Sequence, residues 1–277
     1  MPQIVISERN RIIEGMQYTG ALSAYLPHPD GRPYHTFRSY TVLADGENLT
    51  FRHCRIENTA GRGIEAGQAI ALYLDGDGIV LEDCILRGHQ DTLFLAPLPE
   101  REREKDGFLG PKQFLPRTPR VFRFRRCRIE GGVDFIFGGA EAYFDDCEFR
   151  SVEPGFVFAP STPEGQETGF VARNCRFTCT ETVPDRSCYI GRPWREHARL
   201  RLEHCELGRH IHPRGFDDWG RAECHATVRF EEIGSYGPGA ENADRPDYIL
   251  RSESCMHAHS PAVGAAAGIS AAVPGVG

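Results

Sequence analysis

FRHCRIEN at residues 51–58, LEDCILRG at 81–88 and FRRCRIEG at 124–131 share one pattern, and FDDCEFRS at 144–151, ARNCRFTC at 172–179 and LEHCELGR at 202–209 repeat it. Each copy sets apolar residues two places apart, then two polar residues, a cysteine and a further apolar residue: Leu49, Phe51, Cys54 and Ile56 in the first, Leu200, Leu202, Cys205 and Leu207 in the sixth. A seventh copy, Val228, Phe230, Ile233 and Ser235, lacks the cysteine. Successive copies lie 30, 43, 20, 28, 30 and 28 residues apart, and self-similarity at such a period signals a solenoid or a propeller.

The interior of the repeat separates these two. Apolar residues at period 2 on either side of a polar pair (Arg52-His53, Glu82-Asp83, Arg125-Arg126, Asp145-Asp146) read as two short strands joined by a bend that faces water. A third strand is expected at 68–74, 91–96, 134–138, 156–160 and 188–193. Three strands per turn, with a smallest turn of 20 residues, predicts an all-β parallel β-helix of about seven recognisable coils rather than four-stranded blades. The six repeat cysteines then point inward as a ladder of small apolar side chains, the usual place of a buried free thiol. Cys179, Cys188, Cys224 and Cys255 lie outside the ladder and receive no assignment.

Composition is that of an ordinary globular chain: 277 residues, 40% hydrophobic and 26% charged. A net charge of −7 carries no nucleic-acid footprint. The sequence has no apolar run long enough to span a membrane and no recognisable signal peptide at MPQIVISERN. The chain as written is therefore expected in the cytoplasm, and a secreted protein is expected if its N-terminus is missing.

The register of the repeat gives two acids a shared position. Asp91 follows Cys84 by seven residues and Asp134 follows Cys127 by seven, so stacking at about 4.8 Å per coil brings the two carboxyls together on one outer face. Like charges so close do not both ionise easily; one pKa is expected to rise while the other stays low if a cation supports it. Gln90 precedes Asp91 and Gln68 opens the corresponding strand one coil earlier. Their neutral amides suit an oxyanion. Arg192, in YIGRPW two coils on, is placed to reach back and orient one aspartate. Phe94, Phe137 and Trp194 offer flat apolar surfaces of the kind that pack on sugar rings. DGDG at 75–78 is too short for a calcium loop and reads as a tight turn.

The ordered set QAIAL (68–72), GHQDTLF (88–94), GGVDFIFG (131–138) and YIGRPW (189–194) resembles the pectinesterase family from about residue 11 to about 250, and HATVRFEEIGSYGPGA at 225–240 is similar to it as well. The resemblance implies a right-handed parallel β-helix and hydrolysis of the methyl esters of galacturonate in pectin or methylated oligogalacturonides. It also implies Asp134 as nucleophile, Asp91 as acid and then base, Gln68 and Gln90 as the anion hole, and Arg192 as the support of the nucleophile. Phe94, Val133, Phe137 and Trp194 are implied as substrate-binding positions. No metal or organic cofactor is expected.

The sequence departs from the family in three places. The family's usual start, with its early strands and the helix that caps the N-terminal end, is expected to be absent, and a solenoid with an uncovered end exposes strand edges, so a self-associating N-terminal face is expected. The 43-residue spacing between Cys84 and Cys127 reflects an insertion, Pro97 to Arg120, that is Pro-rich and charged. It is expected to leave the coil as a surface loop beside the groove. Phe94 stands where many relatives carry tyrosine. The catalytic domain is expected over 1–250 and a low-complexity tail over 251–277. Rival readings are a catalytically silent β-helix that binds acidic polysaccharide, a lyase or glycosidase of the same fold, and an esterase or thioesterase of another acyl group. Paired glutamines favour acyl chemistry over glycosidic cleavage, which needs two acids without an anion hole.

Overall fold

A computed structural model describes residues 3–241 and 243–252. Three parallel sheets of seven, nine and seven strands run along the chain, and each strand bonds to its counterpart in the next turn. The arrangement is a right-handed parallel β-helix. One sheet contains Leu72–Leu74, Leu93–Leu95, Ile136–Gly138, Phe156–Pro160 and Tyr189–Gly191. The repeat supplies the other two, one strand before each cysteine and one after.

The alignment of the copies is the register of the strands. Phe51, Leu81, Phe124, Phe144, Ala172 and Leu202 stack in one file, and Ile56, Leu86, Ile129, Phe149, Phe177 and Leu207 in another. Between them the predicted bends form, and the residue before each cysteine (His53, Asp83, Arg126, Asp146, Asn174, His204) takes a left-handed φ of 50–56°. A single such residue turns the chain sharply, and short polar residues tolerate it best. All six ladder cysteines are buried free thiols, as expected. They do more than fill space: the Cys84, Cys127, Cys175 and Cys205 thiols donate to carbonyls of the preceding coil, those of Phe51, Leu81, Phe144 and Ala172. Cys188 and Cys224 are also buried and Cys179 is half-buried, while Cys255 lies outside the described residues.

Elsewhere the structure differs from the sequence reading. A full coil, Ile4–Ile6, Ile12–Glu14 and Gln17–Gly20, precedes the first cysteine copy; the repeat pattern does not show it because Arg11 and Met16 occupy places that are apolar or cysteine in the other copies. At the far end Ile249–Ser252 pairs with Arg229–Ile233. The strands therefore continue through Ser252 rather than stopping at 250, and the rest of the expected tail, 253–277, lies outside the described residues. Third strands begin later than expected, at Leu72, Leu93, Ile136 and Tyr189. Ahead of two of them Asp91 and Asp134 have φ of 63° and 49°, which breaks the extended conformation. Among the described residues no helix is long and apolar enough to cross a membrane.

Two apolar cores result. The inner one fills the helix, and within it Phe149 packs its ring against Phe144, Phe158 and Phe177. Truncating so enclosed a side chain leaves a void, and Phe149→Ala is expected to lower the unfolding free energy by about 3–5 kcal/mol in a denaturant titration. The second core lies outside the helix, where Tyr73, Phe94 and Phe137 project from the third-strand sheet and are covered by Phe37 and by Phe108 of the 97–120 insertion. These strands are thus buried on both faces.

Candidate active site

The acid pair forms where the second core meets solvent. Leu93 pairs with Ile136, so Asp91 and Asp134 occupy equivalent positions in adjacent coils, and the Asp91 amide donates to the Val133 carbonyl at 3.1 Å. Left-handed backbone at a non-glycine residue costs about 1–3 kcal/mol, and such strain gathers at functional sites. Here the two strained residues bear the two carboxyls, which are 8% and 6% exposed.

Arg192 approaches from beyond the strand Phe156–Pro160 and grips Asp134 with both arms of its fork, Nε to Oδ1 at 2.8 Å and Nη2 to Oδ2 at 2.6 Å. Bidentate pairing of this kind fixes orientation as well as charge. The guanidinium itself is held between two rings, with Phe156 at 3.8 Å and Trp219 at 3.6 Å from its central carbon. Neither ring was found from the sequence. Phe156 was legible as part of the FVFAP strand, in register with Asp134 through the pairing of Ile136 with Phe158. Trp219 belongs to no repeat and carried no signal.

Burial, and then the Asp134 charge, push the Asp91 pKa well above the ordinary carboxylate range, against a weaker opposing influence of Arg192. Asp134 is raised as well, chiefly by burial, although its hydrogen bonds to Arg192 resist the rise. The expectation that one acid stays low is corrected to this extent: both are raised, and Arg192 makes Asp134 the first to ionise. A group whose pKa is higher in the folded chain binds its proton more tightly there, so the stability it contributes is present at low pH and is lost as pH rises through the folded pKa. Asp91→Asn is accordingly expected to raise the melting temperature by about 2–4 °C at about pH 8, and by less in the ordinary carboxylate range. Calorimetry at both pH values checks it.

Gln68 and Gln90 line the same cleft, which has a volume of about 370 Å³. Room for Gln90 comes from Gly63, where a Cβ would sit 2.1 Å from the Gln90 Oε1. Phe137 and Trp194 also border the cleft, with their rings 5.7 Å apart edge to face. Phe94 does not: it is fully buried beneath Phe37, Tyr73 and Phe137, so its expected contact with substrate is replaced by support of Phe137 from below. Val133 is half-buried and not part of the cleft wall; its contribution is the carbonyl that anchors Asp91. The insertion walls one side through Arg103, Glu104, Gly107 and Phe108.

Fold and site define a class: a right-handed parallel β-helix with a carboxylate-based site in its outer groove. The chain belongs to the pectinesterase family, whose model matches residues 14–101 and 114–259. A probable pectinesterase/pectinesterase inhibitor 64 of Arabidopsis thaliana is 34% identical over 229 residues, covering 76% of this chain and 34% of that one. Putative pectinesterase 14 of the same plant is 30% identical, covering 87% and 67%. The chain thus spans about a third of the length of the first relative and about two thirds of the second. A crystal structure of the pectin methylesterase from Aspergillus niger superposes with a TM-score of 0.72 at 25% identity, covering 98% of this chain and 79% of that one.

Proposed function

We propose that the protein hydrolyses methyl esters of galacturonate units in pectin or methylated oligogalacturonides. The observation that carries this reading is an arginine-clamped carboxylate, Asp134, in register with a buried carboxyl of high pKa, Asp91. Asp134, ionised first, attacks the ester carbonyl carbon. The tetrahedral oxyanion accepts hydrogen bonds from the Gln68 and Gln90 amides. On collapse the C–O bond to methoxide breaks, and Asp91 gives the leaving oxygen its proton, releasing methanol. Asp91, now a carboxylate, takes a proton from water as that water attacks the acyl–Asp134 intermediate, and both aspartates return to their starting states. Phe137 and Trp194 serve as the sugar-facing surfaces.

Methanol release from highly methylated pectin tests the reading. kcat/KM is expected to rise as Asp134 loses its proton and to fall as Asp91 loses its own, giving a bell whose two limbs follow the order of the two carboxyls. No release, together with retained binding of the polymer, would identify a silent polysaccharide-binding helix; release from another ester alone would identify another acyl substrate. We also propose cytoplasmic placement, which the free thiols of the ladder suit. Cell fractionation checks it.

A further inference from the structure

Four successive loops lead into the third-strand sheet beside the acid pair, and one carboxylate ties them together. Arg62, His89, Gly132 and Glu153 precede the strands Leu72–Leu74, Leu93–Leu95, Ile136–Gly138 and Phe156–Pro160, which are neighbours in that order. The Glu153 side chain, only 12% exposed, reaches back past the coil of Gly132 to that of His89, and Arg62 meets it from one coil further. Its Oε2 accepts from Arg62 Nε at 2.8 Å and its Oε1 from His89 Nδ1 at 3.2 Å. Glu65, the other acid acting on Arg62, makes no ion pair with it among the described residues. Gly132 leaves the path open: a Cβ there would meet the Glu153 Cγ at 2.3 Å. In the main chain, the Gly132 amide donates to the His89 carbonyl at 2.8 Å and the Phe156 amide to the Gly132 carbonyl at 3.0 Å.

Both neighbours of the Gln90 side chain are thereby held by Glu153. His89 precedes Gln90 in the chain. Gly63 follows Arg62 and packs directly on the Gln90 side chain, so closely that its Cβ position lies 2.1 Å from Oε1 and 2.8 Å from the Gln90 Cβ. No hydrogen bond to a described residue orients the Gln90 amide, which faces the cleft, so its aim is set by these two neighbours. A preorganised donor is effective because it need not move as the oxyanion forms, and small misplacements of such groups are costly in rate.

We propose that Glu153 is a positioning residue for the anion hole: through His89 and through Arg62 with Gly63 it holds the Gln90 amide at the place where the ester oxygen becomes charged. This rests on the esterase reading above and adds to it a residue that does not touch the substrate. An ion pair with so exposed a partner as Arg62 adds little to folding stability, so the consequence of the network falls on rate.

Steady-state methanol release and side-chain amide NMR test this on the full chain. Glu153→Ala is expected to keep the fold by circular dichroism and to lower kcat about tenfold with KM within about twofold, a part of the loss of about 10²–10³ that follows removal of a whole oxyanion donor. Glu153→Gln, whose side-chain oxygen still accepts a hydrogen bond, recovers part of that loss. In a chain already carrying Gln90→Ala, adding Glu153→Ala is expected to cost less than about twofold, because the donor it aims is gone. A tenfold cost that persists in that background would show that Glu153 acts on the fold or on another residue, and would overturn the proposal. So would an unchanged kcat in Glu153→Ala. The NMR readout needs no turnover: the Gln90 side-chain amide signal, identified by its disappearance in Gln90→Ala, is expected to shift and broaden in Glu153→Ala, and an unmoved signal would equally overturn the proposal. Failure of the esterase reading itself appears separately, as no methanol release from the unsubstituted protein.

Discussion

Asp134→Asn is expected to lower methanol release from methylated pectin by about 10⁴-fold or more, the scale on which loss of a covalent nucleophile acts. The asparagine keeps the volume and most of the hydrogen-bonding shape of the side chain, so the fold remains by circular dichroism. A neutral amide does not attack an ester carbonyl at neutral pH. The substitution also removes the charge that helps hold Asp91 protonated, so the Asp91 carboxyl titrates at lower pH in the variant, a shift that carboxyl-carbon NMR reads. Turnover within tenfold of the unsubstituted protein would show that the nucleophile lies elsewhere and leave Asp134 as an anchor for Arg192.

Arg192→Met is the second large effect. The thioether fits the slot between Phe156 and Trp219 but offers nothing to the Asp134 oxygens. Removing one partner of a buried ion pair costs about 3–5 kcal/mol, because the remaining charge is left desolvated. The carboxyl escapes part of that cost by staying protonated. Its folded pKa, already raised, climbs further, and the stability loss is smaller at acid pH and grows as pH rises. Activity is expected to fall about 10³-fold near neutrality, since little of Asp134 is then ionised. Arg192→Lys separates charge from geometry: it restores the cation but neither the fork nor the flat stack, so it is expected to recover stability more fully than rate. Equal activity in all three forms would remove Arg192 from the mechanism.

The fold was legible because a parallel solenoid is built from nearest neighbours. Aligning Cys54, Cys84, Cys127, Cys147, Cys175 and Cys205 in the sequence is the same operation as stacking the coils, so the repeat produced the register of both inward files. The acid pair followed, since equal offsets from Cys84 and Cys127 place Asp91 and Asp134 side by side. Where the repeat lost its regular residues the reading failed, as in the coil from Ile4 to Gly20.

Sequence by itself thus determined the helix, its period, the acid pair and the cysteine ladder, because each is a property of spacing along the chain. Tertiary structure decided what the non-periodic segments do. Coverage by Phe37 and Phe108 turned Phe94 from an outward ring into core. Trp219, 27 residues beyond Arg192, came to lie against its guanidinium. The insertion brought Arg103 within reach of Glu196, 93 residues on. Such contacts depend on how irregular loops pack across the outer sheet, and no fixed spacing encodes that packing.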